Sequence, residues 1–125
     1  MTILLDTHVV LWWLDDPALL SPAAQAAIND PANTIFISAA VAWEIGIKQA
    51  LGKLSAPGDF ETAIQVSGFQ SLPITIAHAL AAGRLPVHHR DPFDRMLVAQ
   101  TQQEGGTLVT RDPHLSAYGI PIIQA

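Results

Sequence analysis

Ile3-Leu-Leu-Asp-Thr-His8 decides the architecture, because an apolar run stops abruptly on an acid, Asp6. Residues 2–5 are short, apolar and β-compatible, as a strand buried in a parallel sheet should be. A carboxylate at the carboxyl end of a first strand stands where α/β sheets place their chemistry. Outward from this point, further strands are expected at 34–38, 107–109 and 122–123, and helices fill the intervals. Thr7 to Leu14 reads as a short helix. Ser21-Pro22 gives an N-cap followed by proline at the first helical position, starting a helix through Asn29. Ala39 to Leu51 is the clearest helix and closes at Gly52. Asp59 to Ser67 and Ile74 to Ala82 are two more, ending at Gly68 and Gly83. Asp91-Pro92 opens a long helix to Glu104, stopped by Gly105-Gly106. Strands alternating with helices predict right-handed βαβ units and a mostly parallel sheet between helical layers.

On that layout, four acids arrive near one sheet edge from four segments: Asp6, Glu44, Asp94 and Asp112. Such a set binds hard cations and points to metal-dependent hydrolysis. Each acid also has a plainer reading. Asp6 would cap the helix that follows it. Glu44 shares a helical stripe with Ala40, Ile47 and Leu51, where a carboxylate is costly unless paired or metal-bound. Its alternative is an i,i+4 ion pair with Lys48 on a solvated face. Asp94 sits three residues after Asp91 in something close to a capping box, so capping and catalysis both stay open. Asp112 would likewise cap a short helix through Pro113 and Leu115.

Composition sets the bounds. The chain has 125 residues, half of them hydrophobic and 14% charged, which fits one compact domain over 1–125 with a real core. No apolar run reaches the ~18 residues that a membrane helix needs. The start of the chain does not read as a signal peptide. Cysteine is absent, which excludes disulfides and thiolate zinc sites and favours the cytoplasm. A net charge of −5 argues on its face against a nucleic-acid partner. The objection weakens because four of the eleven acids are the candidates above, and Lys48, Arg90, Arg95 and Arg111 lie close to them in sequence. His88-His89 reads as an exposed pair in a turn, and no spacing resembles a zinc motif. Trp12, Trp13 and Trp43 read as core residues before base-stacking platforms. Gly105-Gly106 follows a helix instead of opening one, so it forms no phosphate loop.

Four stretches together resemble one family. Leu-Leu-Asp-Thr-His at 4–8, Ile-Ser-Ala-Ala-Val-Ala-Trp-Glu-Ile at 37–45, His-Arg-Asp-Pro-Phe-Asp-Arg-Met-Leu-Val-Ala-Gln at 89–100 and Leu-Val-Thr-Arg-Asp at 108–112 are similar, in order and spacing, to PIN-domain ribonucleases. Within that family the chain resembles the VapC-type toxins of prokaryotic toxin–antitoxin pairs. The resemblance spans essentially the whole sequence. It implies a PIN-like α/β fold, with a mostly parallel central sheet of about four to five strands flanked by helices. It also implies a Mg²⁺- or Mn²⁺-dependent endoribonuclease with a cognate antitoxin. The metal-site and catalytic acids carry over to Asp6, Glu44, Asp94 and Asp112, with Thr7, Ser38 and Thr110 as polar supports. Asp91 lies in the same motif as Asp94; Asp94 is favoured because Arg95 and the apolar Met96-Leu97 follow it.

The chemistry expected is attack on phosphorus by a metal-activated water, leaving 5′-phosphate and 3′-hydroxyl RNA ends. Arg95 or Arg111 would hold the phosphate. Clustered carboxylates should raise one another's pKa in the absence of metal. Apolar segments 9–14 and 43–51 are candidate grooves for an antitoxin helix or for a homodimer. Two rivals stand. A haloacid-dehalogenase-like phosphatase would use Asp6 as nucleophile, but it usually has a second Asp two residues on, where this chain has His8. A non-catalytic Mg-binding regulatory module such as a receiver domain would want a late lysine, and none follows Lys53.

Overall fold

The computed structural model describes residues 1–56 and 58–125. Among the described residues, five strands form one parallel sheet: β1 (Thr2–Leu5), β2 (Thr34–Ser38), β3 (Gln70–Leu72), β4 (Thr107–Thr110) and β5 (Ile122–Gln124). Their order is β3-β2-β1-β4-β5. β1 is central: Leu4 pairs with Phe36 of β2 on one side and Leu108 of β4 on the other. Ile3, Leu4 and Leu5 are wholly buried, which covers both faces of the strand. The chain steps outward from β1 to β2 and β3, then returns to build β4 and β5 on the opposite side. The order therefore reverses between β1 and β4, and the crevice at their carboxyl ends is where such sheets bind ligands.

Six α-helices supply the crossovers: α1 (Thr7–Asp15), α2 (Pro22–Asn29), α3 (Ala39–Ala50), α4 (Phe60–Val66), α5 (Ile76–Arg84) and α6 (Pro92–Gln103), again among the described residues. Each starts on a side-chain oxygen that accepts a backbone N–H: Asp6, Ser21, Ser38, Asp59, Thr75 and Asp91 in turn. Two short 3₁₀ helices, Pro17–Leu19 and Pro113–Tyr118, complete the chain.

Four expectations need correction. β3 has no counterpart in the sequence reading. Gln70-Ser-Leu buries only Leu72, and it forms as an edge strand because β2 offers it a ladder. α5 begins after Thr75, whose side chain makes a capping box with His78, and it runs through Gly83 to Arg84. Pro86 forces Leu85 out of helical backbone, so proline ends this helix and glycine does not. The buried face of α3 is Ala40, Val41, Glu44 and Ile45, while Ile47 and Leu51 turn outward. Trp12 and Trp13 do pack on the core, but Trp43 is 63% exposed and lies edge-on to Phe93.

One polar residue crosses the core. Gln100 of α6 is wholly buried; its Oε1 accepts from Ser38 Oγ (2.6 Å) and its Nε2 donates to the Pro73 carbonyl (3.3 Å). Ser38 Oγ in turn accepts from Ala40 N, so this network fixes the start of α3. Replacing Gln100 by leucine keeps the volume and adds apolar surface, yet strands the Ser38 hydroxyl and the Pro73 carbonyl. Urea unfolding of Gln100→Leu is expected to show a loss of ~1–3 kcal/mol.

Candidate active site

The four acids meet at the carboxyl edge of the sheet. Asp6 follows β1 and is 9% exposed. Its Oδ1 accepts from Val9 N (3.0 Å) and its Oδ2 from the Thr110 hydroxyl. Asp6 thus caps α1 and faces the site at once. Glu44 comes from α3 and is also buried. Its Oε1 accepts from the Thr7 hydroxyl and its Oε2 from Lys48 Nζ (2.7 Å). The i,i+4 pair with Lys48 exists, but the Glu44 end of it is buried and not on a solvated face.

Asp94, in the first turn of α6, and Asp112, just past β4, stand on the other side with His89 between them. Ligand atoms of these three residues all lie within 4.8 Å of one another. Asp112 N donates to Thr110 Oγ1 (3.1 Å), and Thr110 donates onward to Asp6. The Asp6 and Asp112 sides are therefore joined through one threonine. Asp112 also caps the 3₁₀ helix, its Oδ1 accepting from His114 N (2.9 Å).

The expected supporting residues divide. Thr7 and Thr110 touch the acids directly. Ser38 acts at one remove, through the start of α3. Asp91 caps α6, accepting from Phe93 N (2.8 Å) and Asp94 N (3.2 Å), and so orients the turn that carries Asp94. The two arginines expected to grip phosphate are committed elsewhere. Arg95 donates to the carbonyls of Ala82, Leu85, Pro86 and His89, closing the carboxyl end of α5. Arg111 donates to the Leu19 and Ala125 carbonyls and lies 4.0 Å over the Trp12 ring. Guanidiniums spent on orphan carbonyls have few donors left for a ligand.

His89 is the residue the sequence reading missed. His88 is exposed as expected, but His89 is half-buried and its Nε2 lies 2.9 Å from Asp112 Oδ2 and 3.5 Å from Asp94 Oδ2. Its signals in the sequence are its place at the head of the 89–100 stretch and its position two residues before the cap Asp91.

A family model described as "PIN domain" matches residues 3–121. The chain belongs to the PIN-domain family. It is 33% identical to Ribonuclease VapC22 of Mycobacterium tuberculosis, over 96% of this chain and 94% of that one. Among solved structures it is similar in fold to VapBC2 from Rickettsia felis, crystallised with a promoter DNA fragment. That TM-score is 0.71 at 16% identity, covering 99% of this chain and 98% of the other. VapBC from Salmonella typhimurium, also DNA-bound, gives a TM-score of 0.69 at 17% identity, covering 99% and 98%.

The acids of this PIN domain strain one another. Burial raises Asp94 to about 7, and the charges of Asp91, Asp6 and Glu44 add to it while His89 opposes. Burial likewise raises Asp6, against the hydrogen bonds from Thr110 and Val9. Asp112 goes the other way. Burial would raise it, but hydrogen bonds from His114 and His89 outweigh that and hold it below the ordinary value. The hydrogen bond that Lys48 donates to Glu44 raises Lys48, which keeps its charge. Crowded carboxylate oxygens with little basic neutralisation are a fitting cradle for a hard divalent cation.

Two outcomes follow. Folding takes up protons at Asp94 and Asp6 between the unfolded value near 4 and the raised folded value, so stability in EDTA falls as pH rises through that window. For Asp94 the window is about 4 to 7. The contribution of Asp112 is lost only on acidification below its unfolded value, outside that range. Thermal melts in EDTA should therefore give a lower midpoint at pH 8 than at pH 5, by at most ~1.4 kcal/mol per pH unit for each group, with Asp94→Asn flattening the slope. Separately, Arg95→Ala is expected to cost ~2–3 kcal/mol of stability, read by urea unfolding, because four carbonyls lose a charged donor.

Proposed function

We propose that this PIN domain, acting as one unit over residues 1–125, is a Mg²⁺- or Mn²⁺-dependent endoribonuclease and the toxin of a toxin–antitoxin pair in the cytoplasm. The observation that carries this is the meeting of Asp6, Glu44, Asp94 and Asp112 at the crevice between β1 and β4, where burial first, and then the charges of Asp91, Asp6 and Glu44, raise Asp94 to about 7. Similarity to a protein named a ribonuclease supports it across nearly the full chain.

These four carboxylates would hold the cation. When bound, it would activate a water for attack on phosphorus and offset charge on the scissile phosphate. The chain's own residues do the rest. Thr7 and Lys48 fix the carboxylate of Glu44; Thr110 and the Val9 N–H fix that of Asp6. Donors delivered by buried strands and capped helices do not have to reorganise when charge develops. Lys48 and Lys53 line a shallow cleft with Thr7 and His8, beside Glu44. We assign the RNA backbone to this cleft, in place of Arg95 and Arg111, whose donors are spent on carbonyls. Lysines attract phosphate as point charges and leave the bases unread.

The partner surface narrows within the two expected segments, 9–14 and 43–51. Val9 and Val10 are wholly buried, so the 9–14 segment gives only its outer side chains to a cleft of Leu11, Trp12, Leu14, Leu54 and Ala56. Trp43 and Ile47 on α3, with Leu51 at its C-cap, form an exposed apolar strip. An antitoxin helix would lay its apolar face along this strip and into that cleft. Ile76 and Leu80 on α5, with Val87 beyond, are a second exposed strip, which we assign to a homodimer. Among the described residues, no helix is long and apolar enough to cross a membrane.

Cleavage of end-labelled RNA by purified protein tests the reading, with Mg²⁺, with Mn²⁺, with EDTA, and beside Asp6→Asn. Cuts bearing 5′-phosphate and 3′-hydroxyl ends are expected with either metal. They should disappear in EDTA and drop more than ~100-fold in the mutant. Asn caps a helix about as well as Asp and relieves the crowding, so that mutant should melt no lower than the wild type without metal. Cyclic phosphate ends, or cleavage that persists in EDTA, would overturn it.

A further inference from the structure

His89 is held from three sides. Its N–H donates to Tyr118 Oη (2.9 Å), its carbonyl accepts from Arg95 Nη1 (3.3 Å), and its ring Nδ1 accepts from Asp91 N (3.1 Å). With Nδ1 an acceptor, the ring hydrogen sits on Nε2. That N–H faces Asp112 Oδ2 at 2.9 Å and Asp94 Oδ2 at 3.5 Å.

A histidine between two aspartates looks at first like a nitrogen ligand. Ligation through Nε2 needs a lone pair there. In the neutral ring this moves the hydrogen to Nδ1, directly against the Asp91 N–H. The Asp91 amide cannot turn aside cheaply, because the same residue's side chain caps α6. The loop is therefore built to present a donor, not a ligand. Asp112 is then oriented at both oxygens, Oδ1 by His114 and Oδ2 by His89.

We propose that His89 is a positioning residue: its Nε2–H orients Asp112 and stands off Asp94, setting the spacing of two carboxylates and leaving the cation an all-oxygen donor set. This rests on the reading that the acids hold a divalent cation. Hydrogen-bonded partners behind metal-binding carboxylates typically govern affinity by 10–100-fold.

The tests need no RNA. Long-range ¹H–¹⁵N correlation of the histidine rings should show the Nε2–H form of His89 both before and after Mg²⁺ is added. An Nδ1–H form, or loss of the Nε2 hydrogen on metal addition, would overturn the proposal. Mn²⁺ affinity, read by the paramagnetic resonance of free Mn²⁺, should weaken at least ~10-fold in His89→Ala. His89→Gln, whose amide nitrogen reaches a similar place, should restore it to within about threefold, with all three proteins checked for folding by circular dichroism. Alanine binding as tightly as wild type, or glutamine no better than alanine, would overturn it. Absence of Mn²⁺ binding by the wild type would fail the cation reading itself, and the proposal with it, whatever the ring tautomer.

Discussion

The acidic centre depends on β1 pairing in parallel with β2 on one side and β4 on the other. Three apolar residues buried on both faces fix that strand in register, and the register sets where Asp6 emerges. A slip by one residue would turn each side chain to the opposite face and carry the acid away from Thr110. The same ladder brings Thr110 and Asp112 to the edge, and β2 delivers α3 and Glu44. Rigidity comes from the sheet; chemistry comes from what protrudes past its end.

That rigidity is used against repulsion. Carboxylates that would separate in solution are held together by hydroxyl and amide donors, each anchored to a strand or a helix start. Helix capping and site building are here one act. Asp6, Asp112 and Asp91 each satisfy an orphan N–H while shaping the cluster, and Ser38 does so at one remove, by fixing the start of α3. The plain and the chemical readings of these acids are therefore compatible.

The acids and most elements were legible because strongly periodic segments and sharp caps are local signals. Asp6 at a strand end and Glu44 on an apolar face announce themselves without neighbours. What escaped notice was decided at a distance. β3 has almost no apolar pattern and exists because β2 needed a partner. Gly83 is a breaker only where backbone demands it, and Pro86 made the decision instead. Arg95 and Arg111 sit beside site acids in sequence, yet tertiary packing turns them onto carbonyls. His89 belongs to a pair that looks exposed; Tyr118, almost thirty residues on, draws one member inward.

The pairing of β1 with β4 has a consequence for biosynthesis. Thr110, which holds Asp6, lies 104 residues further along the chain. A growing polypeptide that has emerged only as far as α5 carries Asp6 and Glu44 but neither Asp94 nor Asp112, and its first strand lacks one of its two neighbours. Such long-range closure comes late, after its entropy cost has been met. Until the last third of the chain is made, the acidic centre therefore lacks two of its four acids and the strand whose threonine holds the first of them.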